Sequence, residues 1–400
     1  MPFRTALSGL NASSQELRVI GNNVANASTV GFKESRAEFS DIFATSNLGV
    51  TANAIGTGVR VSSVSQQFTQ GNIEFTDNNL DLAISGQGFF VLDDNGINAY
   101  SRAGQFGVDR DGNVVNSQQQ KLVMFKADPS GNITGARGPL QLDRSDIAPQ
   151  ATARIDVNAN LDASAAPITA AFDPSDAGTY NSSTSLTTYD SLGSPHLTTF
   201  YYQKTAANTW DTYMYVDGTD VGGGANAVDF LDTGVINSGS PVNVSFTPAG
   251  GAAPMSVTVN LSDTTQYGSP FSVNGLDQDG FATGRLSGID ISDTGVITSR
   301  FTNGQSRTLG QVAVATFNNE QGLRQLGETS WAETYDSGAP LLGAPGTGAA
   351  GLIQSGALEG SNVDLTEELV NMITAQRNFQ ANAQVITTAD TVTQTIINIR

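Results

Sequence analysis

The sequence contains no cysteine, which excludes disulfide staples, thiolate metal sites and thiol nucleophiles in one step. Its single histidine is His196, so imidazole chemistry has only one place to reside. Basic side chains are scarce: 19 Lys and Arg stand against 38 Asp and Glu, a formal net charge of −19. Such a chain repels polyanions, which argues against a nucleic-acid partner and against anionic lipid. No apolar run approaches the roughly 18 residues of a membrane-spanning helix, so no membrane insertion is expected. The segment from Met1 to Leu10 carries an Arg but no continuous apolar stretch and no cleavage site, so any export would follow a route that reads something other than a cleaved signal. Hydrophobic residues make up only 38%, while 43 glycines and abundant Thr, Ser and Asn imply many turns and strands.

What is present is organised first at the two ends. Phe3, Leu7, Leu10, Ser14, Leu17, Gly21 and Val24 recur at alternating spacings of 4 and 3, a heptad seam with two weak positions. Leu365, Leu369, Met372, Gln376, Phe379, Ala383, Ile386, Asp390, Thr393 and Ile397 keep the same alternation. Asp364 followed by Glu367 predicts a capped start, and a helix from there to the end of the chain would span roughly 50 Å. Neither helix is strong alone. Both seams include polar residues, and the stretch TTADTVTQTIINIR is rich in β-branched residues that disfavour helix. Helices this marginal need partners. Residues 1–36 carry four basic and two acidic groups, and residues 361–400 carry two basic and four acidic, so the two ends complement each other. Two readings stay open: an intramolecular coiled coil, or helices that order only when many copies pack together.

Between the ends the period changes to two. Asn78 to Phe125 alternates short apolar runs with turn signals at Asp94-Asn95-Gly96 and Asp111-Gly112-Asn113, and Gly288 to Phe317 does the same around Asn303-Gly304. These stretches predict one inner β domain, 72–145 and 285–336, interrupted by an outer β domain, 146–284. The interruption holds fourteen Asp and no Glu against one Lys and one Arg, as suits an exposed surface. Segments 30–71 and 337–360 read as connectors; Ser337 to Ser361 is Gly/Ala/Pro-rich and looks like a linker. Residues 1–29 and 361–400 are the terminal helical segments. The expected class is multidomain α+β: terminal helices paired as a coiled-coil-like inner domain, then two β-rich domains, the outermost inserted in the inner one.

Catalytic signatures do not emerge. His196 in SLGSPHLTTF lacks a nucleophile elbow or triad pattern and reads as a turn histidine. Gly346 to Gly351, GTGAAG, has dinucleotide-loop spacing but follows a Pro/Gly linker, not a strand. The acidic turns at Asp109–Asn113 and Asp277–Gly280 complete no EF-hand loop and read as hairpin turns. No catalytic, cofactor or metal residue is predicted, and the chain is expected not to be an enzyme.

The N-terminal stretch LSGLNASSQELRVIGNNVANASTVGFK nevertheless resembles a known signature. Asn22, Asn23, Ala25, Asn26, Thr29, Gly31, Phe32 and Lys33 match the segment shared by the bacterial flagellar rod and hook family. The C-terminal Ser361-Asn362-Val363-Asp364, Gln376-Arg377, Ala381-Asn382 and Ile399-Arg400 resemble that family's closing helix, and NNLDLAISGQGFFVL its inner β domain. Within the family, the return stretch from Gly284 to Thr334 and the size of the acidic insertion resemble the hook branch more than the shorter distal rod proteins. The resemblance implies a structural subunit that polymerises into a hollow, curved, flexible tube outside the cell, a universal joint carrying torque from rod and motor to filament. The implied partners are other copies of the chain, the distal rod protein, the hook–filament junction protein, the hook cap protein during assembly and the flagellar type III export apparatus. Polymer contacts are expected from Phe3, Leu7, Leu10, Leu17, Val24, Leu365, Leu369, Met372, Phe379, Ile386 and Ile397. The run FSDIF, through Phe39 and Phe43, resembles an aromatic export-gate element, or else anchors a connector. A secreted β-rich adhesin is the reading from a different class; it would survive loss of residues 365–400, whereas a polymer subunit would not.

Overall fold

A computed structural model describes residues 2–42, 56–143 and 145–398. The chain divides into two compact units, one of residues 1–143, 288–299 and 306–400, the other of 144–287 and 300–305.

The first unit contains both long helices. Helix α1, Pro2–Ala25, is followed by a turn in which the Asn26 N–H donates to the carbonyls of Asn22 and Asn23. Helix α2, Leu365–Asn398, begins where Asp364 Oδ1 accepts from the N–H groups of Thr366 (2.8 Å) and Glu367 (3.2 Å), the N-cap geometry expected of Asp. The helices run antiparallel, since Asn23 reaches Glu368 while Gly9 faces Asn382. They bury Ala6, Ser13, Ile20 and Asn23 from α1 and Glu368 and Ala375 from α2. Met372, Phe379, Asn382, Ile386 and Ala389 are half-buried, completing a heptad row on α2.

This seam differs from the one read in the sequence. On α1 it is displaced by one residue from the Leu-bearing row, leaving Phe3 51% and Leu7 41% exposed. On α2 it includes Met372, Phe379 and Ile386 but not Leu365, Leu369 or Ile397, which are exposed. The physical reason is close approach. A Cβ at Gly9 would stand 2.6 Å from the Asn382 amide, so small residues on α1 admit the second helix where leucines would hold it off.

Among the described residues, the segments read as connectors contain ordered strands. Strand β1, Ser35–Ile42, pairs antiparallel with β2, Gly58–Gln66, from Ser35 opposite Gln66 to Ile42 opposite Gly58, with a bulge after Glu38. The hairpin lies against α1, where Ser8 Oγ accepts from the Val59 N–H at 3.2 Å. Strand β3, Ile73–Phe75, pairs with Ala357–Glu359, and β4, Leu82–Ser85, pairs with Leu352–Ser355. The Gly/Ala/Pro-rich stretch was expected to be a loop, yet Ile353 and Ala357 are buried within it. Its small side chains let two backbones meet in a ladder.

The remainder of this unit is a sheet whose central order is Ser306–Val312, Lys121–Ala127, β5 (Phe89–Asp94), β6 (Ile97–Ser101), Ser330–Ala332 and Arg324–Gly327. β5 and β6 join through Asn95 (φ 54°) and Gly96 (φ 92°), the left-handed pair that a two-residue hairpin requires. Alternate faces of β5 feed separate cores, Phe90 and Leu92 on one side, Phe89 and Val91 on the other.

The second unit is a sandwich. One sheet orders Val242–Phe246, Met255–Asn260, Arg154–Asp162 and Thr265–Tyr267; the other orders Ser182–Tyr189, Pro195–Ala206, Thr209–Val216, Asn226–Phe230 and Ile236–Ser238. Their inner faces share one core, including Ile155, Val257, Phe200 and Trp210. His196 sits at a corner, its Nδ1 2.6 Å from Asp217 and its Nε2 3.4 Å from Asp190.

Candidate assembly site

The signature residues converge where the helices leave the β structure, and each has a physical task. Asn23 is 1% exposed. Its amide donates to the Ser35 carbonyl (2.8 Å) and to Glu368 (3.0 Å), while its Oδ1 accepts from the Ser35 N–H (2.9 Å). One side chain thus fastens α1 to β1 and to α2. Asn26 accepts from the Thr29 hydroxyl at 3.1 Å and holds the turn after α1. Gly31 has φ +69°, and a Cβ there would stand 2.4 Å from the Ala103 nitrogen, so only glycine permits this approach. Phe32 is buried beside it, and Asn22 is exposed.

Lys33 leads to the main polar feature, one the sequence reading did not assemble. Its ammonium meets Glu359 Oε1 at 2.6 Å and donates to the Thr69 carbonyl at 2.7 Å. Glu359 Oε2 accepts from Arg102 at 3.0 Å, and Oε1 also accepts from the Gly71 N–H at 2.9 Å. Arg102 donates further to the Gly86 carbonyl at 2.8 Å. All three side chains are 2% exposed or less. Burial pulls the Lys33 ammonium below the usual lysine range, and Glu359 opposes that pull. Two cations around one carboxylate in a dry site hold their geometry only while all three are present. The only hint in the sequence was Lys33 itself, an unusual charge inside a Gly-Phe-Lys motif. Arg102 and Glu359 lie far away along the chain and carry no local pattern.

Asn362, just before α2, supplies a matching clasp. It accepts from the Glu34 N–H at 2.7 Å and donates to the Gln67 carbonyl and the Thr69 hydroxyl, each at 2.8 Å. Both helices are therefore moored to one short stretch of connector.

The apolar residues that the helices do not use on each other remain in the open. On α2 these include Leu369 (50% exposed), Ile373 (51%), Val385 (45%) and Val392 (53%). Phe3, Val385 and Val392 line a groove of about 680 Å³ together with Ala381 and Ala389. Of the remaining expected contact residues, Leu10, Leu17 and Val24 are half-buried, and Leu365 and Ile397 are exposed. Phe39 lies on β1 and is 39% exposed; Phe43 falls outside the described residues. Among the described residues, no helix is long and apolar enough to cross a membrane.

Four family models match the chain. They are a flagella basal body rod protein model over residues 3–33, a flagellar hook protein FlgE/F/G D1 domain model over 83–161, a flagellar basal body protein FlaE D2 domain model over 160–281, and a flagellar basal body rod FlgEFG protein C-terminal model over 354–399. The chain is 38% identical to the flagellar hook protein of Salmonella typhimurium and 38% identical to that of Escherichia coli, in both cases over 100% of each chain. It is 30% identical to the flagellar hook protein of Borreliella burgdorferi, over 99% of this chain and 98% of the relative. The fold resembles the crystal structure of a Helicobacter pylori flagellar hook protein, FlgE2, with a TM-score of 0.57 and 15% identity, covering 72% of this chain and 100% of that one. The chain belongs to the flagellar hook protein family and is a structural subunit of the bacterial flagellar hook.

Proposed function

We propose that this subunit polymerises through its terminal helices into a hollow, curved tube that bends as it turns and carries torque from rod to filament. The observation behind this reading is the row of large apolar side chains on α1 and α2, Phe3, Leu7, Leu369, Val385 and Val392, left 41–53% exposed beside a seam built largely of small and polar residues. Burying each fully adds about 1.5–3 kcal/mol, enough in sum to order helices that are marginal alone. A repeating contact between different faces of identical chains gives an open helical polymer rather than a closed ring.

In this reading the terminal helices hold and the acidic outer unit slides. Polar, hydrated contacts exchange partners at low cost, as a bending tube requires. The distal rod, junction and cap proteins would meet the two ends of such a tube. The chain would reach the growing tip through the flagellar type III apparatus, with the β1 region around Phe39 a candidate for recognition during export.

The test compares the full-length chain with one lacking residues 1–29 and 364–400, by negative-stain microscopy with sonicated polymers of the same chain as seeds. The full-length chain is expected to elongate the seeds into curved tubes and the shortened chain to leave them unchanged. Elongation by the shortened chain would refute the assignment, and straight tubes would favour a rod-like subunit.

A further inference from the structure

Beside the helix pair lies a cleft of about 590 Å³ into which Glu16, Glu34, Glu367 and Glu368 all face. Glu16 lies on α1, Glu34 immediately before β1, and Glu367 and Glu368 on α2. Among the described residues they form no cluster that could hold a metal ion. Glu368 is the informative member. It is 4% exposed, its Oε1 accepts from Asn23 at 3.0 Å, and among the described residues its Oε2 finds no hydrogen-bond donor. A carboxylate oxygen buried without a donor is costly and calls for a cation or a proton. Burial also raises the pKa of Glu34, and the charge of Glu368 and a carboxyl–carboxylate hydrogen bond with it raise it further, so negative charge is crowded here in the single chain and a proton on Glu34 is the competing occupant.

The chain carries the complement on the same helices. Arg4 and Arg18 on α1 and Arg377 on α2 are exposed, and none makes an ion pair with another of the described residues. Their neighbours three and four residues away are uncharged, so no partner is available along the helix. We propose that the cleft is a socket for a guanidinium from a terminal helix of a second copy, completing the unpartnered oxygen of Glu368 when subunits stack. This rests on the polymer reading above and adds a polar, register-setting contact to it. An apolar stripe tolerates slippage along a helix, whereas one buried ion pair admits a single register.

The experiment is a set of double-mutant cycles read as critical concentration for elongation from seeds. Glu368→Gln keeps the size and the acceptor facing Asn23 while removing the charge; it is combined in turn with Arg4→Gln, Arg18→Gln, Arg377→Gln and Arg36→Gln. The expected result is a rise of about tenfold or more for Glu368→Gln, a similar rise for one of Arg4, Arg18 or Arg377, and a double variant no worse than either single one. Additive effects in all three cycles would overturn the socket. So would coupling to Arg36, which lines the same cleft of its own chain, or a fall in critical concentration, which would mean that a proton shared with Glu34 serves Glu368. Failure of the unaltered chain to elongate seeds would overturn the polymer reading itself, a distinct result that removes the socket with it.

Discussion

Lys33 and Glu359 touch at 2.6 Å although 326 residues separate them, and neither side chain is accessible to water. The pair joins the outgoing connector to the returning one. With Arg102 on the other carboxylate oxygen, it makes Glu359 the single anion between two buried cations. Glu359→Gln should therefore lower the stability of the helix-bearing unit by about 3–5 kcal/mol, because two uncompensated charges remain. Lys33→Met should cost less, since Arg102 and Glu359 still neutralise each other. Denaturant unfolding of the full chain orders the two; an equal or reversed ranking would contradict the role given to Glu359.

Two glycines in the N-terminal region should respond in opposite directions to alanine. Gly31 combines a φ of +69° with a main-chain neighbour 2.4 Å from its virtual Cβ. Gly31→Ala should cost about 2–3 kcal/mol and speed hydrogen exchange through residues 26–36. Gly21 lies within α1, and a Cβ placed on it would meet none of the described residues beyond its own helix backbone within 4 Å, so Gly21→Ala should raise helicity in the free chain and add about 0.5–1 kcal/mol. Circular dichroism and exchange mass spectrometry read both.

His196 should give the sandwich unit a pH-dependent stability. Burial works against the charged ring, but the hydrogen bonds its N–H groups donate to Asp217 and Asp190, with the charges of those carboxylates, outweigh it and raise the pKa above the ordinary 6.5. A base with a raised folded-state pKa contributes stability fully present below its unfolded value and lost as pH rises through the folded one. Melting temperature of this unit should thus fall as pH climbs from 6.5 through the raised pKa, and His196→Gln should flatten that slope. NMR titration of the lone histidine locates the midpoint; a midpoint below 6.5 would contradict the geometry.

Exposed and seam positions on α2 should separate by assay. Leu369→Ser should change the free chain's stability by no more than about 0.5 kcal/mol while raising the critical concentration severalfold. Phe379→Ala, on the seam, should loosen the helix pair before any polymer forms, visible as lost helicity in the free chain. Sedimentation of assembled material together with circular dichroism tells the two apart.

Removing residues 148–283 should spare polymerisation and change curvature. Ile147 and Gly284 exchange backbone hydrogen bonds of 2.8 and 3.3 Å, so the cut ends already adjoin and a short Gly-Ser link closes the gap. Electron microscopy of tubes grown from this shortened chain is the measurement; complete loss of assembly would remove the sliding role proposed for the outer unit.

Much of the architecture was legible because it is local. Hairpin turns such as Asn95-Gly96, the Asp364 cap and the two helices follow from neighbours within a few residues. The helical seam was misplaced because periodicity identifies apolar rows without saying which row faces inward. Here the small residues Ala6, Gly9 and Ser13 win the inner position through close approach, and Phe3 and Leu7 are left outside. The returning connector was read as irregular because its strands are short and pair with partners hundreds of residues away, as Glu359 does with Ile73; the outgoing one pairs locally, Ser35–Ile42 with Gly58–Gln66, but its polar, Ser-rich strands lack a clear apolar alternation. Nothing in the spacing of Arg102 and Glu359 could have joined them; only the folded chain does so.

The ladder formed by Ile73–Phe75 and Ala357–Glu359 has a mechanical consequence. The chain leading back to α1, through β1 and β2, and the chain leading on to α2 both leave from the same end of it, at Ile73 and Glu359. A pull on the helix pair as a unit loads the two strands side by side, so the hydrogen bonds between them bear little of the force. A pull that separates α1 from α2 instead opens the ladder one bond at a time, beginning at Ile73 and Glu359, where the buried charges sit. The subunit is thereby stiff toward tension shared by its two ends and compliant toward their divergence, with Lys33, Glu359 and Arg102 as the rivet that decides when the seam begins to peel.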